Sequence, residues 1–381
     1  MIPKNKFDKN PCFFFIVQMK IMLIILICLL PIVVYSNDYA LYYTINDSLS
    51  IGLMGVPFAS YSSEFGGSVG VSLHIFEKNL SKSIRSGYLY GMRIQAEYSE
   101  SSERELTFEG SIPFRRINQL VEFELSGMKK PKLYYGIGGS SDRSQEYSYT
   151  YIHYRFLGSW IRSIFRNLDA GITWDFSNYR NTDLDTAVTY PDIPGFYNQY
   201  NAIGLGTNLV YNTKHPNNFP TSGYYYLNQI LLYDDMISSD YNFITIKQEF
   251  QYFHSIKNHV IANQILSINT FNEVPFHYYP VQGGSRLMRG LSTGRYIDKQ
   301  FLGGQTEYRS PFLFWRISGV SFLSGAISYR GLNDFKKDYF HITGGVGIRF
   351  AIDKSERVNG RFDIGISEDG WQVYLKFGEV F

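Results

Sequence analysis

Polar and apolar residues alternate with a period of two over much of this chain. After Tyr88, Met92, Ile94, Ala96 and Tyr98 share one parity, and Arg93, Gln95, Glu97 and Ser99 hold the other. The same alternation sets Val121, Phe123 and Leu125 against Glu122, Glu124 and Ser126. It returns with Ile342, Val346 and Ile348 against His341, Thr343 and Arg349, and with Phe362, Ile364 and Ile366 against Arg361, Asp363 and Ser367. A final segment sets Trp371, Val373, Leu375 and Phe377 against Gln372, Tyr374 and Lys376. Successive side chains of a strand point to opposite faces, so each segment predicts a strand with one apolar face. The segments run roughly 9–14 residues, longer than the ~5–6 of a soluble sandwich and long enough to cross a bilayer at a tilt. Roughly sixteen of them fit, from Val56 to Phe381, at about 21–22 residues per strand and connection. The expectation is an all-β fold: one transmembrane antiparallel β-barrel of sixteen strands, closed because an open edge would leave amides unpaired in hydrocarbon.

The one long apolar run, Ile21–Val34, follows Met19-Lys20 and ends at Val34-Tyr35-Ser36. It is shorter than the roughly 20 residues a spanning helix needs and has the layout of a secretory leader. Residues 1–36 therefore read as a signal peptide, with Met19 as a candidate start, and residues 37–381 as the barrel domain. Both cysteines, Cys12 and Cys28, fall in that leader, which leaves no thiol chemistry or disulfide for the rest. Composition then adds girdle material. The 381 residues include 32 Tyr and 30 Phe, and runs such as Tyr224-Tyr225-Tyr226 suit water–lipid boundaries. A net charge of +2 gives no reason to expect nucleic acid as a partner.

Candidate chemistry is sparse. No two of the seven histidines flank an acid at metal-ligand spacing, and no cofactor or metal is expected. His254 and Ser255 are neighbours on a strand and so face opposite ways, against a Ser–His pair. Gly344–Gly347 lacks the Lys-Ser/Thr of a phosphate loop. Acidic stretches at Ser140–Asp142 and Asp183–Asp192 read as solvated loop tips. No catalytic residue is assigned, and an enzyme is not expected.

One segment breaks the alternation. Asn272–Ile297 is long for a hairpin loop and contains Gly283, Gly284, Gly290 and Gly294 with Arg289. Tight turns and a charge needing a partner favour a loop folded into the lumen. On the strand that follows, Gln305, Glu307 and Arg309 share the lumen parity, so Arg289 can meet Glu307 there.

These residues carry a resemblance. LMRGLSTGRY with LGGQTEYRSP resembles the sixth-loop Arg-Gly motif and the next strand of the BamA/TamA superfamily, the bacterial surface antigen family. NTKHPNNFPTSG, Asn212–Gly223, resembles that family's periplasmic turn, and GVGIRF and GRFDIG resemble its penultimate strands. The resemblance implies a bacterial outer-membrane barrel of the POTRA-free branch, with Arg289-Gly290 and Glu307 as a loop lock. It implies a lumen lined by Gln305, Arg309, Arg361 and Asp363, and a lateral seam between Val56–Ser62 and Trp371–Phe381. Trp371, Phe377 and Phe381 form the terminal strand and assembly signal, with Gly365, Gly370 and Gly378 weakening the closure. Three positions depart from the pattern: Leu291 replaces Phe or Tyr, Ser324 stands where a second acid is common, and Glu379 interrupts the final apolar parity. The implied function is noncatalytic insertion or translocation of proteins or lipids at the outer membrane. Its implied partners are outer-membrane lipid, client chains and a separate periplasmic protein. A passive pore and a barrel-borne lipid hydrolase stay open as rivals.

Overall fold

A computed structural model describes residues 41–381 apart from 47–48, 64–65, 79–90, 143–145, 183, 185–192, 217–218 and 354–357. The expected leader, residues 1–36, and nearly all of Asp183–Asp192 lie outside the described residues. In chain order the strands are β1 (Leu41–Asn46), β2 (Leu49–Ser62), β3 (Gly66–Lys78), β4 (Gly91–Ser99), β5 (Arg104–Phe114), β6 (Gln119–Tyr134) and β7 (Tyr147–Phe165). They continue as β8 (Leu168–Thr182), β9 (Tyr200–Asn212), β10 (Gly223–Tyr233), β11 (Phe243–Ile256), β12 (His259–Asn272), β13 (Val281–Gln282) and β14 (Tyr296–Ile297). The last five are β15 (Gln300–Phe314), β16 (Ile317–Tyr329), β17 (Phe340–Asp353), β18 (Val358–Ser367) and β19 (Gly370–Phe377).

Sixteen of these, β2–β12 and β15–β19, pair antiparallel in sequence order, and β19 returns to β2 to close a barrel. The alternation in the sequence is the alternation of this wall. Val69 and Leu323 are each 62% exposed on the outside, whereas Ser68 and Ser324 beside them are buried. An apolar outer face with every backbone group of the wall paired to a neighbour is what a lipid-facing surface requires.

The two rims differ. At the lower rim three hairpins are tight, at Asn167, Lys257 and Trp315, each with positive φ, while residues 213–222 make a longer turn at that rim. The upper rim carries further long connections, residues 135–146, 183–199, 234–242, 273–299 and 330–339. The 273–299 segment folds down into the lumen, where β13 and β14 form a small hairpin of their own. Apolar residues from wall and loop then fill the upper lumen: Tyr134, Tyr149, Tyr200 and Phe243 from the wall pack on Phe276 and Tyr279 from the loop. A second cluster joins Leu287, Met288, Leu291 and Tyr296 of the loop to Phe301 and Ala326 of the wall. Leu291, one of the three departures noted above, is fully buried in it, so a branched aliphatic side chain serves where an aromatic was expected.

The seam differs from its expected outline at both ends. The first barrel strand begins at Leu49, well before Val56, because Gly52 and Ser50 keep the strand pairing with β3 down to Lys78. The last strand stops at Phe377 and does not reach Phe381. Gly378 takes φ +78°, which an L side chain adopts only with strain, and turns the tail inward. A further strand, β1, pairs with Leu49–Leu53 of β2. Since β3 occupies the other edge of β2 along its length, β1 takes the edge that faces β19.

Candidate functional site at the loop lock and the seam

Strand parity delivers a set of charged residues and one carboxamide to one level of the lumen. β15 supplies Gln305, Glu307 and Arg309, β17 supplies Arg349, and β18 supplies Arg361 and Asp363. All six are buried. From the infolded loop Arg289 enters this ring fully buried. Its Nη2 donates to Glu307 Oε2 at 2.8 Å and its Nη1 to Asp363 Oδ2 at 2.9 Å. A longer bond of 3.3 Å reaches Gln305 Oε1, and the guanidinium lies 3.4 Å from the centre of the Phe322 ring. Carboxylates thus grip two of its edges and an aromatic face covers its plane, a match to the flat, multi-donor shape of arginine.

The second acid is therefore present, but on β18. Ser324 on β16 is no part of the grip, and Asp363 takes the role instead. The ring of charge continues outward from the lock. Glu307 also accepts from Arg309 Nε at 2.8 Å, and Asp363 accepts from Arg349. Arg349 Nε donates to Glu379 Oε2 at 3.0 Å, whose other oxygen takes 2.7 Å from Asn359 Nδ2. Glu379 is thereby drawn into the lumen, which explains why it interrupts the apolar parity. Arg309 Nη2 donates to the Phe381 carbonyl at 3.2 Å, and its guanidinium faces the Phe219, Phe253 and Phe381 rings. The chain end is pinned inside the barrel instead of in its wall.

Backbone proximity makes the lock possible. Gly290 has φ +116°, and a Cβ on it would come within 2.8 Å of the Ile366 backbone. A Cβ on Gly365 would lie 2.5 Å from the Arg289 carbonyl carbon. The Arg-Gly turn thus presses directly on β18, and Gly365 serves this approach instead of weakening the seam. Gly290 N–H donates to Tyr374 Oη at 3.1 Å, and Ser367 Oγ donates to Gly290 O at 2.8 Å. Through Tyr374 the loop reaches β19.

β19 is a poorly held strand on its other side. Its strand pairing with β2 is Tyr374 opposite Ser62 and Leu375 opposite Tyr61, supplemented by Ser63 N–H to Val373 O at 3.3 Å, Val373 N–H to Ser63 Oγ at 2.9 Å and Lys376 Nζ to Ser60 Oγ at 3.1 Å. By contrast, β2 and β3 are paired from Ser50–Lys78 through Ser62–Gly66. Between the stretch held by β1 and the stretch held by β19, residues 54–60 of β2 have no strand on their seam edge among the described residues. Pro57 sits in the middle of that span, a residue sheets tolerate at edges. Of the residues expected at the seam, Trp371 stands outward and half-exposed at the top of β19, Phe377 ends the strand, and Phe381 is in the lumen with Arg309. Tyr374 and Arg349 were not singled out by the sequence pattern, and Glu379 was noted only as a break in the apolar parity. Parity placed Tyr374 and Arg349 inside, but only ring closure sets them against the loop and tail.

A second anchor holds the loop at β7–β10. Asp175 accepts from Arg155 Nε and Nη2 at 3.0 Å each, from Tyr233 Oη at 2.9 Å, from Ser177 Oγ at 2.8 Å and from Tyr278 Oη of the loop at 3.4 Å. Beside it His277 stacks on Tyr179 with ring centres 4.5 Å apart. Its Nδ1 lies 3.0 Å from Tyr200 Oη and its Nε2 2.8 Å from Asn181 Oδ1. The neutral Nε2–H tautomer satisfies both: it donates to Asn181 and accepts from Tyr200. Burial, with His153 and Lys132 nearby, pushes the His277 imidazole down to about 3. At the upper rim Arg295 pairs with Asp369 at 2.6 Å and donates to the Ser141 carbonyl at 2.8 Å, so Ser141 touches the loop while Ser140 and Asp142 on either side are exposed. Among the described residues no group of three His, Cys, Asp or Glu side chains is arranged to hold a metal ion. Ser255 donates to the Thr221 carbonyl at the lower rim and is not paired with His254.

No protein-family model and no curated protein sequence matches the chain. Solved structures do. BamA from Haemophilus ducreyi lacking POTRA domains 1-3 superposes with a TM-score of 0.59 at 13% identity, over 89% of this chain and 74% of that one. The fold is that of a BamA-type barrel. CdiB from Escherichia coli matches with a TM-score of 0.55 at 11% identity, covering 87% of this chain and 63% of that one. CdiB from Acinetobacter baumannii gives 0.52 at 8%, covering 87% and 65%. The chain thus spans less than two thirds of either CdiB. What this BamA-type barrel shares with them is the closed sixteen-stranded wall, and its lock and seam are described by its own residues.

Proposed function

We propose that this protein is a noncatalytic barrel of the bacterial outer membrane that inserts or translocates client proteins through the β2–β19 seam, with the infolded loop as brace. The observation that carries the reading is the edge of β2. Among the described residues β19 pairs with β2 only at Tyr374–Ser62 and Leu375–Tyr61, a short closure for a wall in which an unsatisfied backbone group at lipid depth would cost several kcal/mol. The partner that satisfies such an edge is another β-strand, added by backbone hydrogen bonding. A client strand therefore fits it better than a lipid or a solute does. On its β2 side β19 is held by only two register pairs, and the lock touches it at Gly290–Tyr374. The packed lumen supports lateral traffic over axial conduction.

The test uses the chain with Cys12→Ser and Cys28→Ser, to which Tyr61→Cys and Leu375→Cys are added as a seam disulfide. Reconstituted in liposomes, the reduced protein accelerates folding of a small unfolded barrel protein relative to empty liposomes, and oxidation removes the acceleration. Equal rates with the seam closed and open would refute lateral action. Ohmic single-channel conductance with no acceleration would establish the pore instead.

A further inference from the structure

The outer wall carries a site that the seam does not use. On the lipid-facing parity, cross-strand pairing from β4 to β8 aligns Tyr98, Arg104, Lys129, Ile152 and Arg180 in one row close to the upper rim. Arg104, Lys129 and Arg180 are exposed, and from β5 to β8 they span three strand spacings, about 14 Å. The nearest carboxylates in sequence, Glu103 and Glu105, face the lumen, where both pair with Lys130. None of the five residues of this row is acidic.

Two residues lower, about 7 Å along the strands, the next row reads Leu106, Gly127, Tyr154, Asn178 and Asn201. Below it come Phe108, Leu125, Phe156, Phe176 and Ile203. These two rows line an outward groove of about 560 Å³. Gly127 forms its floor: a Cβ there would already touch the Tyr154 ring at 3.3 Å, and a larger side chain would fill the space. Asn178 Nδ2 donates to Asn201 Oδ1 at 2.8 Å, which places carboxamides between the cations above and the hydrocarbon below.

We propose that this patch binds one phosphorylated, multiply acylated glycolipid of the outer leaflet. Arg104, Lys129 and Arg180 hold its phosphates, the asparagines face its sugar and acyl linkages, and one acyl chain lies in the Gly127 groove. Charge complementarity selects the headgroup, because guanidinium and ammonium groups at the interface pair with phosphate. The order of cation, carboxamide and aromatic down the wall follows the order of phosphate, linkage and chain in such a lipid. This inference rests on the outer-membrane placement proposed above, with the long connections outside, and not on seam opening, so failure of the insertion assay leaves it standing.

The test is native mass spectrometry of the purified barrel in detergent, titrated with a bisphosphorylated, multiply acylated disaccharide lipid. Its dephosphorylated form, phosphatidylglycerol and inorganic phosphate serve as comparison arms. The expected result is one lipid per barrel. Affinity should fall at least tenfold in the triple variant Arg104→Gln, Lys129→Gln, Arg180→Gln, and again in Gly127→Phe, with heat-modifiable migration intact in both. Inorganic phosphate alone should neither bind nor compete at lipid concentrations. Equal binding of phosphatidylglycerol or of the dephosphorylated lipid overturns the headgroup assignment. Unchanged binding in Gly127→Phe overturns the groove, and unchanged binding in the triple variant overturns the site.

Discussion

Replacing Arg289 by alanine should release the infolded loop without unfolding the barrel. The substitution removes charge-assisted bonds of 2.8 Å to Glu307 and 2.9 Å to Asp363, and the contact with the Phe322 ring. Each buried charged hydrogen bond is worth about 1.5–3 kcal/mol and a desolvated cation–π contact about 2. The carboxylates are not stranded, however. Glu307 keeps Arg309 and Asp363 keeps Arg349, so the loss falls short of the sum and sits near the ~3–5 kcal/mol of a broken buried pair. A change of ~3 kcal/mol raises the population of undocked loop roughly a hundredfold. Trypsin reads this directly, since Arg286 and Arg295 remain in the loop and cleavage follows the open population when closing is fast. The expected result is cleavage within 273–299 faster by about two orders of magnitude, with heat-modifiable migration of the barrel unchanged. Cleavage within twofold of the parent would refute the lock.

Other consequences follow from the same contacts. Gly365→Val puts side-chain carbons against the Arg289 carbonyl and should cost about 1–3 kcal/mol of loop docking by overpacking, seen as the same tryptic cleavage with all three loop arginines intact. Glu379→Gln removes the tail's anionic contact with Arg349, which keeps Asp363, and should free the tail from Gly378 onward, measured as faster amide exchange at residues 379–381 while β18 stays protected. His277 is neutral when docked, with its imidazole pushed down to about 3. Above its ordinary value of about 6.5, docked and undocked loops are both neutral there and pH has no effect through this group. As pH falls from about 6.5 toward about 3 the undocked loop takes up the proton and docking weakens. Loop cleavage by an acid-tolerant protease should therefore rise over that window in the parent and rise less in His277→Asn.

Much of the wall was legible in the sequence because lipid outside and polar residues inside impose a strict period of two. The alternation of Val121–Ser126 and Phe362–Ser367 needed no tertiary information. Arg289 and Glu307 could be brought together because one lay on a glycine-rich loop and the other on the lumen parity of the next strand. Asp363 could not be matched to Arg289, since β18 comes into range only when the curvature of the whole barrel carries it opposite β15. The tail defeated the pattern for a related reason. Trp371, Val373, Leu375 and Phe377 alternate as a lipid-facing strand should, and the inward turn at Gly378 depends on Arg349, which parity alone does not aim at the chain end. β1 was invisible because its hairpin with β2 is a local choice that leaves no wall periodicity. The cationic row of Arg104, Lys129 and Arg180 exists only in the register of β5–β8.

The central claim is that the seam edge of β2 receives a client strand. Single cysteines placed in turn from Met54 to Ser60 in the cysteine-free chain, with one cysteine in the last strand of a client barrel, test it by disulfide capture during client folding. The account predicts capture at these positions, with the best partner on the client moving by one residue for each step along β2, and loss of capture when β2 is bridged to β19. Capture at lumen positions such as Gln305 in place of the β2 edge, or none at all while the client still folds faster, would contradict it.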